Sequence, residues 1–227
     1  MAGLKKSDVC VLIPAYNEAE RLPGLLKEVL ALGFTVAVAD DGSRDGTVRQ
    51  AKALGAAVLE TDRNCGKGSA IRRGIRWFLQ RPYRALILMD ADGQHAPAEL
   101  GLFLEALNEG RHDVILGNRM GSSRGMPGLR RMTNRLMSFW LSLLAGQKVP
   151  DTQCGYRAFT RAALEKLSLK ADHFEIESEM LLEAARHGFL IGSIPISCVY
   201  GMEKSRINPA KDTVRFLKFL MSRRASR

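Results

Sequence analysis

Between Val9 and Leu116, five short apolar runs alternate with four stretches of helical periodicity. The runs are Val9–Ile13, Thr35–Ala39, Ala56–Glu60, Leu86–Met89 and Asp113–Leu116. Helical patterns fill the gaps: one up to about Leu32, one over Thr47–Leu54, one to Leu79, and one from about Pro97 to Asn108. Gly33 and Gly55 follow the first two, where a left-handed residue closes a helix. Continuous apolar strands joined by helices predict a parallel sheet with helices on both faces. In such sheets, ligands bind beyond the carboxyl ends of the strands. Three of these strand ends carry polar clusters, and all three would share one edge of the sheet.

The sharpest cluster follows the fourth run. Leu86-Ile87-Leu88-Met89 gives way at once to Asp90-Ala91-Asp92-Gly93-Gln94-His95. Two carboxylates at i and i+2 repel each other unless a cation neutralises them. Mg²⁺ or Mn²⁺, a hard ion that takes oxygen ligands and bridges to phosphates, fits that pair, and Gln94 adds a neutral oxygen. The alternative is an acidic turn before the helix at Pro97. Asp40-Asp41-Gly42-Ser43 ends the second run. Its carboxylates can accept from a nucleobase N–H or ribose hydroxyls, or simply shape a turn. The Asn64-Cys65-Gly66-Lys67-Gly68-Ser69 loop lacks the first glycine of the P-loop pattern, which argues against that class of nucleotidase. Its glycines either bring backbone close to a phosphate or nucleoside or make a flexible start to a helix. Arg119, Arg124, Arg130 and Arg131 suit bidentate phosphate recognition, or form a solvated basic face. Glu175, Glu177 and Glu179 alternate along the chain and read by default as the surface of a helix.

Composition narrows the class. A net charge of +10 points to an anionic partner: nucleic acid, a phosphate-bearing ligand or an anionic membrane. With 46% hydrophobic residues in 227, the chain can build one large core, and no linker marks a second domain. The four cysteines, Cys10, Cys65, Cys154 and Cys198, form no CxxC pair or metal-ligand cluster, which suits free thiols in a reducing, cytoplasmic compartment. Residues 1–8 contain no signal-peptide core, and the longest apolar run, Leu136–Gly146, is too short to span a bilayer.

The ordered set Pro14-Ala15-Tyr16-Asn17-Glu18, Asp40-Asp41-Gly42-Ser43, Asn64–Ser69, Asp90-Ala91-Asp92-Gly93-Gln94 and Asp151-Thr152-Gln153-Cys154-Gly155-Tyr156-Arg157 resembles family 2 glycosyltransferases of the GT-A fold. Within them it is most similar to the polyprenyl-phosphate mannose or glucose synthases. The resemblance runs from Val9 to about Ile207. It implies a Rossmann-like, mostly parallel sheet with a mixed C-terminal part: residues 9–120 as the nucleotide-sugar half, and 121–207 as the acceptor half. Pro14, Tyr16, Glu18, Asp41, Lys67 and Asp90 would line the nucleotide-sugar pocket. Asp90, Asp92 and Gln94 would hold Mg²⁺ or Mn²⁺ on the donor diphosphate. Asp92, Arg119 and Arg130 would form the catalytic set, with Arg130 and Arg206 on the acceptor phosphate. In Ser205-Arg206-Ile207, arginine stands where the family carries lysine, which keeps the charge and changes the hydrogen-bond geometry.

The implied reaction moves a hexose, with inversion, from UDP-glucose or GDP-mannose to a polyprenyl phosphate. A phosphate acceptor is already anionic and needs no general base. A hydroxyl acceptor on a polysaccharide or glycolipid would need one, with Asp151, Glu175, Glu177 and Glu179 as candidates. A nucleotidyltransferase would instead release pyrophosphate. A basic RNA-binding module is the reading from another class; the acidic clusters and the lack of an RNP-like aromatic pattern oppose it, so no nucleic-acid partner is expected. Residues 208–227 pattern as a basic amphipathic helix, with Asn208 as cap, Val214, Leu217 and Met221 on one side, and Lys211, Arg215 and Lys218 on another. This tail, together with Phe139 and Trp140 of the helix expected over Leu129–Ala145, could seat a cytoplasmic enzyme peripherally on the inner face of a membrane.

Overall fold

The computed structural model describes residues 3–122 and 126–198. Arg124, Arg206, the Tyr200–Ile207 segment and the amphipathic pattern of 208–227 lie outside them. The strands are β1 (Val9–Ala15), β2 (Thr35–Asp40), β3 (Ala57–Leu59), β4 (Ala85–Leu88), β5 (Val114–Asn118), β6 (Arg157–Thr160) and β7 (Ile191–Pro195). They form one sheet in the order β3-β2-β1-β4-β6-β5-β7. All pairings are parallel except those of β6, which runs antiparallel between β4 and β5. The helices are α1 (Leu22–Ala31), α2 (Thr47–Ala53), α3 (Lys67–Leu79), α4 (Leu100–Asn108), α5 (Gly128–Ala145), α6 (Arg161–Lys166) and α7 (Ile176–Arg186).

The continuous apolar runs split between two cores by strand alternation. Val9, Val11 and Ile13 of β1 join Val36 and Val38 of β2 and Ile87 of β4 on the face covered by α1 and α4. Cys10, Leu12, Ala37, Ala39, Leu86 and Leu88 face the opposite way, toward α3, α6 and α7. A strand with both faces buried has no polar position to spare, which is why these runs read as unbroken hydrophobics. Gly74 permits the closest approach on the second face, since a Cβ there would lie 2.3 Å from a Leu12 methyl.

Two departures from the sequence pattern shape the site. The first helix starts at Leu22 rather than directly after Glu18. Asn17 is left-handed, with φ 53°, and the segment is tied to the loop after β2. Asn17 N–H donates to Ser43 Oγ (2.8 Å), Glu18 N–H to Thr47 Oγ1 (2.9 Å) and Ala19 N–H to Asp45 Oδ2 (3.0 Å). Those side-chain acceptors compete with the first helical turn and win. The second departure is β6. Its reversed direction brings the residues that precede it, 151–156, to the edge where the parallel strands end.

Candidate active site

The edge holds a cleft of about 630 Å³. Its walls include Pro14, Tyr16 and Glu18 after β1, Asp41 after β2, Lys67 at the start of α3, and Asp90, Asp92 and Gln94 after β4. Arg119 after β5 and Arg130 on α5 also line it. Among the described residues, the structure thus brings together every expected site residue. Arg131, next to Arg130 on α5, is not among the lining residues.

The turn after β2 is held by its own carboxylates. Asp40 Oδ2 accepts from the N–H groups of Gly42 and Ser43, both at 3.0 Å. Asp41 reaches across to the next loop, where Oδ1 accepts from Cys65 N–H (3.0 Å) and Oδ2 from Gly66 N–H (2.7 Å). Each Asp41 oxygen keeps a further lone pair for a ligand. Gly42 is left-handed, and a Cβ there would lie 2.7 Å from the Arg63 carbonyl carbon.

The glycines at the start of α3 have a use that neither sequence reading named. A Cβ at Gly66 would sit 2.3 Å from Asp172 O, and one at Gly68 would sit 2.4 Å from Ala171 O. Gly68 N–H donates to Asp172 O at 2.7 Å. These glycines therefore admit the 171–173 backbone, and an amide that could have met a phosphate is already engaged. Lys67 between them points into the cleft, where its Nζ lies 2.7 Å from Asp90 Oδ1 and 2.5 Å from Glu177 Oε1. Burial disfavours the ammonium, but the two carboxylates outweigh it and raise the lysine pKa. Burial likewise opposes ionisation of Asp90, and Lys67 overcomes it, so the Asp90 pKa falls. The pair stays charged.

Glu177 and Glu179 correct the helix-surface expectation. Both lie in the first turn of α7 and are buried. Glu177 bridges Lys67 to the fully buried Arg157, whose Nη2 is 3.2 Å from Oε2. Arg157 also donates to Cys154 O (2.6 Å), Thr152 O (2.7 Å) and Glu177 O (2.5 Å). Glu179 Oε2 accepts from the N–H groups of Lys170 (2.9 Å) and Ala171 (2.8 Å). Sequence reasoning placed Arg157 in a motif but gave it no role, because three of its acceptors are backbone carbonyls with no residue-type signature.

Across the cleft, Arg119 is 2% exposed and clamped by Asp151: Nε–Oδ2 is 2.8 Å and Nη2–Oδ1 is 2.9 Å. Asn134 Nδ2 of α5 donates to the same carboxylate at 2.8 Å. Burial opposes ionisation of Asp151, but these bonds prevail and lower its pKa. Asp151 is therefore a buried anchor and a poor general base. His95 packs on Tyr156, with ring centroids 5.2 Å apart. Burial, reinforced by Arg119 and Lys67, lowers its pKa to about 4, and its Nδ1 has no hydrogen-bond partner.

For a metal, the donor set is partial but of the right kind. Asp90 and Asp92 offer carboxylate oxygens at one rim of the cleft, with Gln94 beside them. Asp92 Oδ1 accepts from Gln94 N–H (2.9 Å), which fixes the turn. No group of three or more His, Cys, Asp or Glu suited to a metal occurs among the described residues. Mg²⁺ is commonly held by one or two carboxylates together with substrate phosphates rather than by an all-protein cage, so the residues present fit such an ion.

The family model described as Glycosyl transferase family 2 matches residues 10–168. This chain belongs to glycosyltransferase family 2. It is 34% identical over 201 residues to the polyprenol monophosphomannose synthase of Mycolicibacterium smegmatis, covering 82% of this chain and 76% of that one. It is 33% identical over 205 residues to the undecaprenyl-phosphate mannosyltransferase of Micrococcus luteus, covering 84% and 83%. Among solved structures it is similar to glucosyl-3-phosphoglycerate synthase from Mycobacterium tuberculosis, in complex with Mn²⁺, UDP and phosphoglyceric acid. The TM-score is 0.70, with 19% identity over 92% of this chain and 74% of that one. That likeness places the sheet and its helices in the GT-A fold. The protein is a glycosyltransferase.

Proposed function

We propose that the cleft binds a nucleoside-diphosphate hexose, UDP-glucose or GDP-mannose, and passes the sugar to a polyprenyl phosphate with inversion at the anomeric carbon. Pro14, Tyr16, Glu18 and Asp41 hold the nucleoside, and Asp90, Asp92 and Gln94 would hold Mg²⁺ or Mn²⁺ on the diphosphate. When bound, that ion supplies positive charge to the leaving diphosphate. Lys67 neutralises Asp90 and fixes its rotamer. Arg130, with Arg206 of the segment outside the described residues, receives the acceptor phosphate, while Arg119 orders the wall between the two anions. The acceptor oxygen forms the new bond to the anomeric carbon as the diphosphate oxygen leaves with the electron pair.

The observation that carries this reading is how the cleft's carboxylates are occupied. Asp151 is bound by Arg119 and Asn134, Glu177 by Lys67 and Arg157, and Glu179 by two backbone amides. A phosphate nucleophile needs none of them as a base, and two relatives are named for polyprenyl-phosphate acceptors. One feature favours the hydroxyl reading: Glu175 lines the cleft and has a buried Oε2 with no hydrogen-bond partner.

The deciding experiment offers labelled UDP-glucose and GDP-mannose, with Mn²⁺, to the protein and a short-chain polyprenyl phosphate. Formation of a lipid phosphosugar with release of nucleoside diphosphate, preserved in Glu175→Gln, is the expected result. Transfer only to hydroxyl acceptors, lost in Glu175→Gln, overturns it. No helix among the described residues is long and apolar enough to cross a membrane; on this reading the enzyme meets its lipid acceptor by peripheral contact with the cytoplasmic face of the bilayer.

A further inference from the structure

Helix α5 turns an apolar face outward. Leu129, Met132, Leu136, Phe139, Trp140 and Leu143 are 45–65% exposed. At 3.6 residues per turn they share one arc of roughly 100°, the width of an ordinary core-facing stripe. Here the stripe faces away from the core. The helix packs inward through Asn134, Ser138 and Leu141, which are buried. Asn134 bonds to Asp151 and Ser138 to Thr152. Arg130 and Met137 occupy the edge between the two faces, and both line the cleft. The exposed stripe therefore continues from the mouth of the cleft on the same helix.

We infer that this face of α5 lies in the interface of an anionic lipid bilayer and sets the cleft at the level of the lipid headgroups. This rests on the polyprenyl-phosphate reading above and specifies its partner surface. Charge selects the occupant. The helix carries Arg130, Arg131 and Arg135 and no acidic residue. A second copy packed face to face would set these arginines against their own mates. The C-terminal tail is a poor cover for the same reason, since its sequence holds Lys211, Arg215, Lys218, Arg223, Arg224 and Arg227 against one acid, Asp212, after Asn208. An anionic lipid surface complements the arginines and takes up the leucines, with Trp140 and Phe139 at the depth aromatic rings favour. An acceptor whose chain lies in the bilayer then presents its phosphate beside Arg130 without leaving the lipid.

The test uses the full chain. Trp77→Phe leaves Trp140 as the sole tryptophan. With vesicles of phosphatidylglycerol and phosphatidylcholine, its emission should shift to the blue and be quenched by brominated acyl chains. Flotation with these vesicles should fall about tenfold or more in Leu136→Ser/Phe139→Ser/Leu143→Ser. Transfer to a water-soluble short-chain polyprenyl phosphate should remain at the wild-type level in that variant, which also shows that it is folded. Should the triple variant not fold, Arg135→Glu, at an exposed position beside the stripe, must lose flotation on anionic vesicles by a similar factor. Equal flotation of wild type and variants, no flotation by any of them, or Trp140 emission unchanged by lipid overturns the inference. A wild-type dimer that the triple variant dissolves, without lipid binding by either, also overturns it and makes the face a contact between copies. Flotation and Trp140 emission need no sugar transfer, so they stand or fall separately from the assigned reaction.

Discussion

At the scale of single residues, the site is a set of charges that hold one another. Asp92 is half-buried on the wall of the cleft, so its removal tests chemistry more than packing. Asp92→Ala is expected to lower transfer at least a hundredfold, about 2.7 kcal/mol in the barrier, while shifting Tm by no more than a surface substitution does. Near-normal turnover with added Mn²⁺ would falsify the metal-ligand role. Lys67 behaves differently, because Lys67→Met takes from Asp90 its paired ammonium and leaves Glu177 with Arg157 alone. Truncating one partner of a buried pair costs on the order of 3–5 kcal/mol. Chemical denaturation should show a loss of that order, partly restored when Mn²⁺ and a nucleoside diphosphate are added, because they return positive charge to Asp90. A loss that the metal leaves unchanged would separate Lys67 from the ion site. Much of this was legible in the chain. Asp90 and Asp92 announce themselves because an apolar run stops abruptly at a carboxylate pair. Glu177 and Glu179 do not, because alternation places them on no particular face of a helix, and their partners lie up to 110 residues away. Arg119 could be read as a phosphate ligand from its charge, but its pairing with Asp151 spans 32 residues and leaves no local trace.

At the scale of elements, β5 and α5 divide the arginines into two kinds. Arg119 follows β5 and is buried against Asp151, and Arg130 stands on the cleft side of α5. Arg119→Ala strands a buried carboxylate, so a loss of about 3–5 kcal/mol in stability is expected before any effect on catalysis is read. Arg130→Ala should leave the denaturation midpoint near wild type and raise KM for the acceptor, with donor affinity by calorimetry unchanged. Collapse of donor affinity with acceptor KM unaltered would reverse the assignment. The elements themselves were mostly readable, since the first five strands and the helices between them follow from periodicity. The later start of α1 was hidden because Ser43, Asp45 and Thr47 capture its leading amides from another loop. The reversed direction of β6 was hidden too, as four residues carry no sign of which way a strand will lie.

At the scale of the whole molecule, pH acts through buried groups. His95 has a folded pKa near 4 against an ordinary value of 6.5. Between those values the unfolded chain binds a proton that the folded one refuses. Stability therefore rises with pH across that window and is lost as pH falls from about 6.5 toward 4, by on the order of 3 kcal/mol for this group. Asp90 and Asp151, with lowered pKa values, contribute stability that is present above their unfolded pKa near 3.9 and disappears below it. Urea titrations of the metal-free protein at pH 7 and pH 5 should differ accordingly, and His95→Phe should flatten the difference. An unchanged slope in that variant would remove His95 from the account.

The placement of β6 has a further consequence. Strand β5 has no bond to β4; it joins the sheet only through β6, which is made some forty residues later. A ribosome delivering the chain from its N-terminus would expose β5 and its neighbour edge on β4 until Thr160 clears the exit tunnel. The segment from β1 to β5 therefore cannot close its sheet as an autonomous nascent unit. Its last parallel strand waits, unpaired, for β6 to arrive. Exchanging C-terminal parts between relatives at the β5 boundary would thus cut through the sheet itself, and a recombination point beyond Thr160 is the one that keeps the β4–β6–β5 edge closed.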